Sequence, residues 1–300
     1  MKPLSFTLGL VAFVAFALSS SHAAERRVVR VGKNPESVTK GFGGHYYVTL
    51  INEGNVPGDG TVVKLVGDQP EVFATSLENP KGIVFVGGYL VTADMKTVWK
   101  IDAEGRKSVL AAEKDLPFPV SNFLNDVAAA PDGKSVFVSD MGASDKMNGP
   151  EGLWPLDSPQ AKALPAIGRI YQITLEGKVS IAVDANPDMA CPNGVSAPGP
   201  DELLVGEFFT GNLISVSQGQ RKVLATGYRG ADAIERDPQG NLYVSSWTQG
   251  KVWKLDPRGQ NATVLAEGFQ SAADFFLDPE AKQLVLPDMR AGTLTFLPLD

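Results

Sequence analysis

Cysteine and histidine are almost missing from this chain: 300 residues hold one Cys and two His. The lone thiol, Cys191, cannot form an internal disulfide, and it excludes Cys-rich zinc and iron–sulfur sites. No His lies near it in sequence to activate it, so it reads as buried rather than nucleophilic. His22 falls in an N-terminal stretch discussed below. That leaves His45 as the sole histidine of the remaining chain, and a base built from two histidines is not available. Basic residues are also few, 27 Lys and Arg against 34 Asp and Glu, for a net charge of −7. This balance excludes nucleic acid as an expected partner, since such a partner needs a basic face. Long apolar runs are lacking beyond the first residues, so no membrane span is expected in the mature chain. The 31 Gly and 21 Pro, spread among short apolar runs, disfavour a helical bundle.

The N-terminus has the form of a targeting segment. Lys2 supplies a positive start, Leu4 to Leu18 is apolar and uncharged, and Ser21-His22-Ala23 ends it with small residues. Residues 1–24 are therefore expected to be a cleaved signal peptide, with 25–300 as the mature chain. The expected location is outside the cytoplasm, periplasmic or secreted.

What the chain has in abundance is repetition. An apolar strand with a polar end recurs as Leu90–Asp94, Val136–Asp140, Leu203–Glu207, Leu242–Ser246 and Leu284–Asp288. A second strand follows each, as in Thr97–Ile101 and Lys251–Leu255, and a third follows in four of them. Turn sequences such as Pro131-Asp132-Gly133 and Asp256-Pro257-Arg258-Gly259 separate the strands. Alternation at period 2 and a unit of about 40 residues define the blade of a β-propeller. Six blades are counted, starting near Glu36, Gly82, Asn125, Asn193, Asp232 and Ala273. The fold expected is all-β, a single six-bladed propeller over 25–300. The last blade lacks its outer strand, and Arg26 to Val31 is expected to supply it and close the ring.

Blade geometry sorts the loops. Strand A is innermost, and strand B returns to the rim where strand A starts. The polar ends of the B strands (Asp94, Asp140, Glu207, Ser246 and Asp288) therefore ring that rim. Among them Asp94, Asp140 and Asp288 recur as a feature of the repeat itself. The one long insertion, 143–167, leaves a B strand and should lie over the same face, as a pocket lid or as a surface decoration. It carries Trp154. Asp140, Glu207 and Trp154 are thus candidate pocket residues.

Strand A lines the channel, and four of its first residues bear oxygens: Glu36, Asn125, Asn193 and Asp232. Equivalent positions on different blades converge on the axis. Two carboxylates there would repel each other and suffer desolvation. A divalent cation resolves both problems. An all-oxygen set selects a hard ion, and Ca²⁺ is the expected one. Asn or Asp before a β-run is also ordinary turn chemistry, but four at one repeat position, absent from the other two blades, ask for more.

In their order and blade-length spacing, Glu36, Asn125-Asp126, Asn193-Gly194 and Asp232 resemble the calcium site of a known superfamily. It comprises the senescence marker protein, gluconolactonase and luciferin-regenerating enzyme propellers, with paraoxonases and strictosidine synthases more distant. The resemblance covers essentially the whole mature chain. It implies a Ca²⁺- or other divalent-metal-dependent lactonase or esterase. Asp232 would then be ligand and catalytic proton acceptor, with Asp140 or Glu207 as substitutes on the same rim. Departures from the pattern carry information. Phe123 stands where gluconolactonase-like members hold the sugar acid with Arg, which implies a more apolar substrate in this pocket. A paraoxonase-like His dyad is absent. Asp126 matches one ligand of the paraoxonases' second, structural calcium, but Ser37 stands where another acid would be.

The function expected is thus an exported, calcium-dependent hydrolase acting on a small-molecule lactone or ester. A different class remains open, a non-catalytic propeller whose metal ties the blades together and whose partner is a protein. A metal-assisted isomerase or lyase is the third reading.

Overall fold

A computed structural model describes residues 26–299; the signal-peptide expectation for 1–24 lies outside the described residues. Six four-stranded antiparallel sheets follow one another along the chain. The first blade is Pro35–Lys40, Tyr46–Leu50, Gly60–Val66 and Gln69–Leu77. The next three run over 80–112, 124–183 and 192–225, and the fifth over 231–267. The sixth is built from Phe276–Asp278, Gln283–Asp288 and Thr293–Pro298, with Arg27–Arg30 as its outer strand. Arg27 pairs with Phe296 and Arg30 with Thr293, so the two ends of the described chain share one sheet. The fold is the all-β, six-bladed propeller expected from the repeats, closed by the N-terminal strand.

The core lies between blades. Alternate residues of each strand point to the two faces of its sheet, and apolar residues on both faces bury against the neighbouring blades. Val91 and Val98 of the second blade meet Leu124, Val127 and Val138 of the third. Val29, Leu294 and Phe296 of the sixth meet Val38, Val48 and Val63 of the first. Sheets buried on both faces explain why the B strands read as nearly continuous apolar runs.

One irregularity is repeated and matters for the site. Strand A of each of the first five blades begins with a one-residue register shift against strand B: Pro35 pairs with Leu50 but Val38 with Val48. The same shift falls at Pro80/Ile83, Leu124/Val127, Pro192/Val195 and Ala231/Ile234. In the sixth blade Ala272 bridges Asp288 and pairing resumes at Phe276. Each is a β-bulge, which leaves residues unpaired and re-aims their side chains. The first bulge residue of the six blades is Glu36, Lys81, Asn125, Asn193, Asp232 and Ala273.

The amide freed by the bulge needs a partner. A Ser or Thr near the end of strand B supplies it in three blades: Ser37 N–H donates to Thr49 Oγ1, Asp126 N–H to Ser139 Oγ and Ala233 N–H to Ser245 Oγ. Thr49 and Ser245 then donate onward to the bulge carbonyls of the next blades, at Lys81 and Ala273. Small residues at the second bulge position let neighbouring bulges approach. A Cβ on Gly194 would lie 1.9 Å from the carbonyl oxygen of Asp232, and one on Gly82 would lie 2.5 Å from Asp126 Oδ1.

Candidate metal centre and pocket

The bulges aim their first residues into a cavity of about 460 Å³ at the strand-A rim of the channel. Glu36, Asn125, Asn193 and Asp232 all line it, together with Lys81 and Phe123. The four oxygen-bearing side chains are buried. Asn125 Nδ2 donates to Asn193 Oδ1 at 2.6 Å, which fixes both amides with oxygens oriented by one bond. Glu36 Oε2, Asn125 Oδ1 and Asp232 Oδ1 are buried without any hydrogen-bond partner. Such orphaned acceptors are costly unless something positive meets them. Among the described residues no three His, Cys, Asp or Glu side chains gather as a metal cluster. The set here reaches four donors only by counting its two amides, and an all-oxygen set of this kind fits a hard divalent cation.

The electrostatics agree with the geometry. Burial pushes the Glu36 carboxyl up to about 8, with the Lys81 ammonium opposing and Asp126 adding to the rise. Asp232 is pushed well above the usual carboxylate range by burial, then by Glu36 and Asp126. Lys81 is half-buried, with its ammonium 5.0 Å from the centre of the Phe123 ring. It occupies the bulge position of the second blade and is the one cation there.

Three of the candidate pocket residues lie elsewhere. Glu207 is fully committed: Cys191 N–H, Thr210 N–H and the Thr210 hydroxyl all donate to it. Asp140 accepts from Gly142 N–H and is buried behind the rim. Both tie down loops in the way Asp94 and Asp288 do, Asp94 by accepting from Glu78 and Asn79 N–H and Asp288 from Gln270 and Ser271 N–H. Neither lines the cavity. Trp154 is also absent from the cavity wall. Its ring lies over Gly149, where a Cβ would come within 2.5 Å, so it pins the hairpin Asn148–Gly149/Gly152–Leu153 of the insertion. The insertion does cover the pocket, through Met147, Asn148, Gly152 and Leu153. Phe123 stays in the wall.

Below the first layer lies a second acidic one, of which sequence reasoning singled out Asp126 but missed Asp274 and Glu235. The second bulge residues point down the channel. Ser37 Oγ donates to Asp274 and accepts from Ile83 N–H, and Asp126 accepts from Val195 N–H at 2.7 Å. The carboxylate that Ser37 does not provide therefore comes from Asp274 of the sixth blade. Asp126, Asp274 and Glu235 line a narrow cavity of about 170 Å³ whose wall has no basic side chain. Burial, then the charge of Asp126, pushes Glu235 up to about 8. A carboxyl raised in this way keeps its proton in the folded chain between about pH 4.5 and 8, while the unfolded chain has released it. Its contribution is therefore most favourable below about pH 4.5 and is lost as pH rises toward 8. Glu235→Gln is expected to raise the melting temperature by about a few degrees at pH 8 and to leave it unchanged at pH 4.5. Melting curves at the two pH values check this; equal shifts at both would refute it.

Solved structures share this architecture. A gluconolactonase from Xanthomonas campestris superposes with a TM-score of 0.71 at 18% identity, over 96% of this chain and 94% of its own. Regucalcin from Agrobacterium tumefaciens, a calcium-binding protein, does so with 0.64 at 18% identity, over 91% of each chain. A luciferin-regenerating enzyme gives 0.64 at 14%, over 91% of this chain and 94% of its own. No protein-family model and no curated protein sequence matches the chain. Among the described residues no helix is long and apolar enough to cross a membrane.

Proposed function

We propose that the chain is a divalent-metal-dependent hydrolase of lactones or esters, with Ca²⁺ as the expected ion. One observation carries the reading: three buried, partnerless oxygens, of Glu36, Asn125 and Asp232, converge at the wall of a cavity large enough for a small molecule. Likeness of fold to a gluconolactonase and to a calcium-binding regucalcin supports it. The leader-like sequence at 1–24 supports a place outside the cytoplasm, periplasmic or secreted.

Glu36, Asn125, Asn193 and Asp232 would hold the cation, which when bound supplies a Lewis acid for a carbonyl oxygen and its developing negative charge. Asp232 is the group to take the proton of an attacking water, because its Oδ1 has no hydrogen-bond partner and its side chain lines the cavity. Lys81 places a positive charge at the same wall, where charge develops on the substrate. Phe123, Met141 and Phe208 exclude water from the reacting carbonyl.

The test is hydrolysis of a panel of small lactones and aryl esters by the purified protein, with and without chelator. Turnover lost with EDTA and restored by Ca²⁺ is the expected result. Failure to turn over any member with any divalent cation would sink the hydrolase reading. If a cation still raised the melting temperature, the structural-metal, partner-binding propeller would take its place.

A further inference from the structure

The cavity wall divides by chemistry. Two of its side chains, Glu36 and Asp232, are the carboxylates of the candidate metal centre. Much of the rest is apolar: Phe123, Met141, Phe208, Trp247 and Met289. A polyhydroxylated substrate would find few free donors or acceptors on such a surface, and its hydroxyls would lose water without replacement.

Among the exposed lining residues Asn148, Thr248 and Arg290 are polar, and Arg290 alone of them is charged. Its guanidinium lies 4.3 Å from the centre of the Trp247 ring, and among the described residues it makes no ion pair within 4 Å. The side chain is exposed, and its backbone is anchored by its N–H, which donates to Ser271 Oγ. Stacking on an indole restricts the fork without using its N–H donors. Those donors are thus pre-oriented and free. Charge points the same way. Glu36 and Asp232 are matched in number by Lys81 and Arg290, so a divalent cation at the four oxygens leaves the cavity with excess positive charge.

We propose that the cavity takes a substrate with a carboxylate on an apolar body, the carboxylate gripped by Arg290 at the rim. The apolar body lies on Trp247, Phe208 and Phe123. The ester or lactone carbonyl reaches inward toward Glu36 and Asp232. The position of the reacting carbonyl rests on the hydrolase reading; recognition of the carboxylate does not.

Binding of two probes separates the two claims. Isothermal titration of the full protein, with and without Ca²⁺, compares 4-phenylbutanoate with its uncharged twin 4-phenylbutanamide. The carboxylate is expected to bind at least about tenfold more tightly, since charge-assisted fork contacts are the strong ones. Arg290→Gln is expected to abolish that preference and Arg290→Lys to restore part of it. Trp247→Leu is expected to weaken both probes. Added salt should shrink the preference, because Arg290 is exposed. Equal binding of the two probes overturns the proposal. So does no binding of the carboxylate at millimolar concentration, or a preference that survives Arg290→Gln. These outcomes stand apart from the hydrolysis panel: the protein can hydrolyse uncharged esters and fail here, or discriminate the probes and hydrolyse nothing.

Discussion

Millimolar Ca²⁺ is expected to raise the melting temperature of the metal-free protein by about 5–10 °C, and EDTA to reverse the shift. A ligand at a hundred times its dissociation constant stabilises the folded state by about 2.7 kcal/mol. For a domain of this size, 1 kcal/mol moves the melting point by about 2–4 °C. The structural ground is the pair of buried carboxylates, Glu36 and Asp232: burial raises the proton affinity of both, and the charge of Glu36 raises that of Asp232 further. They sit beside amides whose oxygens face the same cavity. Without a cation the folded chain must either protonate them or tolerate their repulsion, and unfolding relieves both. With a cation that penalty becomes attraction. Differential scanning calorimetry with Ca²⁺, Mg²⁺, Mn²⁺ and Zn²⁺ measures it. A flat response to all four would mean that the four oxygens are not a cation site.

Asp232→Asn is expected to cut hydrolysis by on the order of 10²–10⁴-fold, the range for loss of a positioned general base. The same variant is expected to melt above the wild type when both are free of metal. The substitution keeps the shape of the side chain and an oxygen, and Asp232 Oδ1 has no hydrogen bond to lose. What it removes is one of two buried carboxylates that repel each other. Stability gained where activity is lost is the signature of a functional group held at a cost. A merely structural Asp232 predicts the opposite: a lower melting temperature, with any loss of turnover following the loss of fold. Kinetics and calorimetry on one preparation decide between them.

Much of the fold was legible because its signal is local. The B-strand runs and the turn sequences between strands set the blade boundaries, and the sheets begin at Pro35, Pro80, Leu124, Pro192 and Ala231, one or two residues from where the repeats put them. The closing strand was found by counting: a blade short of one strand asks for it from elsewhere. The first layer of the site was legible for the same reason, since Glu36, Asn125, Asn193 and Asp232 hold one repeat position. The second layer was not. A bulge adds one residue to a strand and leaves no trace in the alternation, so Asp126 stood apart from Asn125 only through the family resemblance. Asp274 precedes a strand that starts late, at Phe276, and Glu235 reads as an ordinary strand residue. The rim acids misled for a related reason. Asp140 and Glu207 end their B strands as polar residues do at a pocket, but the loop amides Gly142 N–H and Cys191 N–H claim them first. Trp154 reads as a lid residue from its place in the insertion; it packs on Gly149 and against the cluster of Met141, Phe208 and Phe209 without lining the cavity.

The strand Arg27–Arg30 and its partner Thr293–Pro298 lie at opposite ends of the described chain. The second is made long after the first. Five blades can therefore form from neighbouring segments, while the sixth waits for its two distant strands to meet. Ring closure is then a late, long-range step of high contact order, and it gates the site, because Glu36 of the first blade joins Asp274 of the sixth through the bond from Asp274 N–H to the Glu36 carbonyl. A chain whose ring is still open has its apolar blade faces but not the assembled cluster of Glu36, Asn125, Asn193 and Asp232. The amides of Arg27–Arg30, followed by pulsed hydrogen exchange during refolding, should be among the last protected.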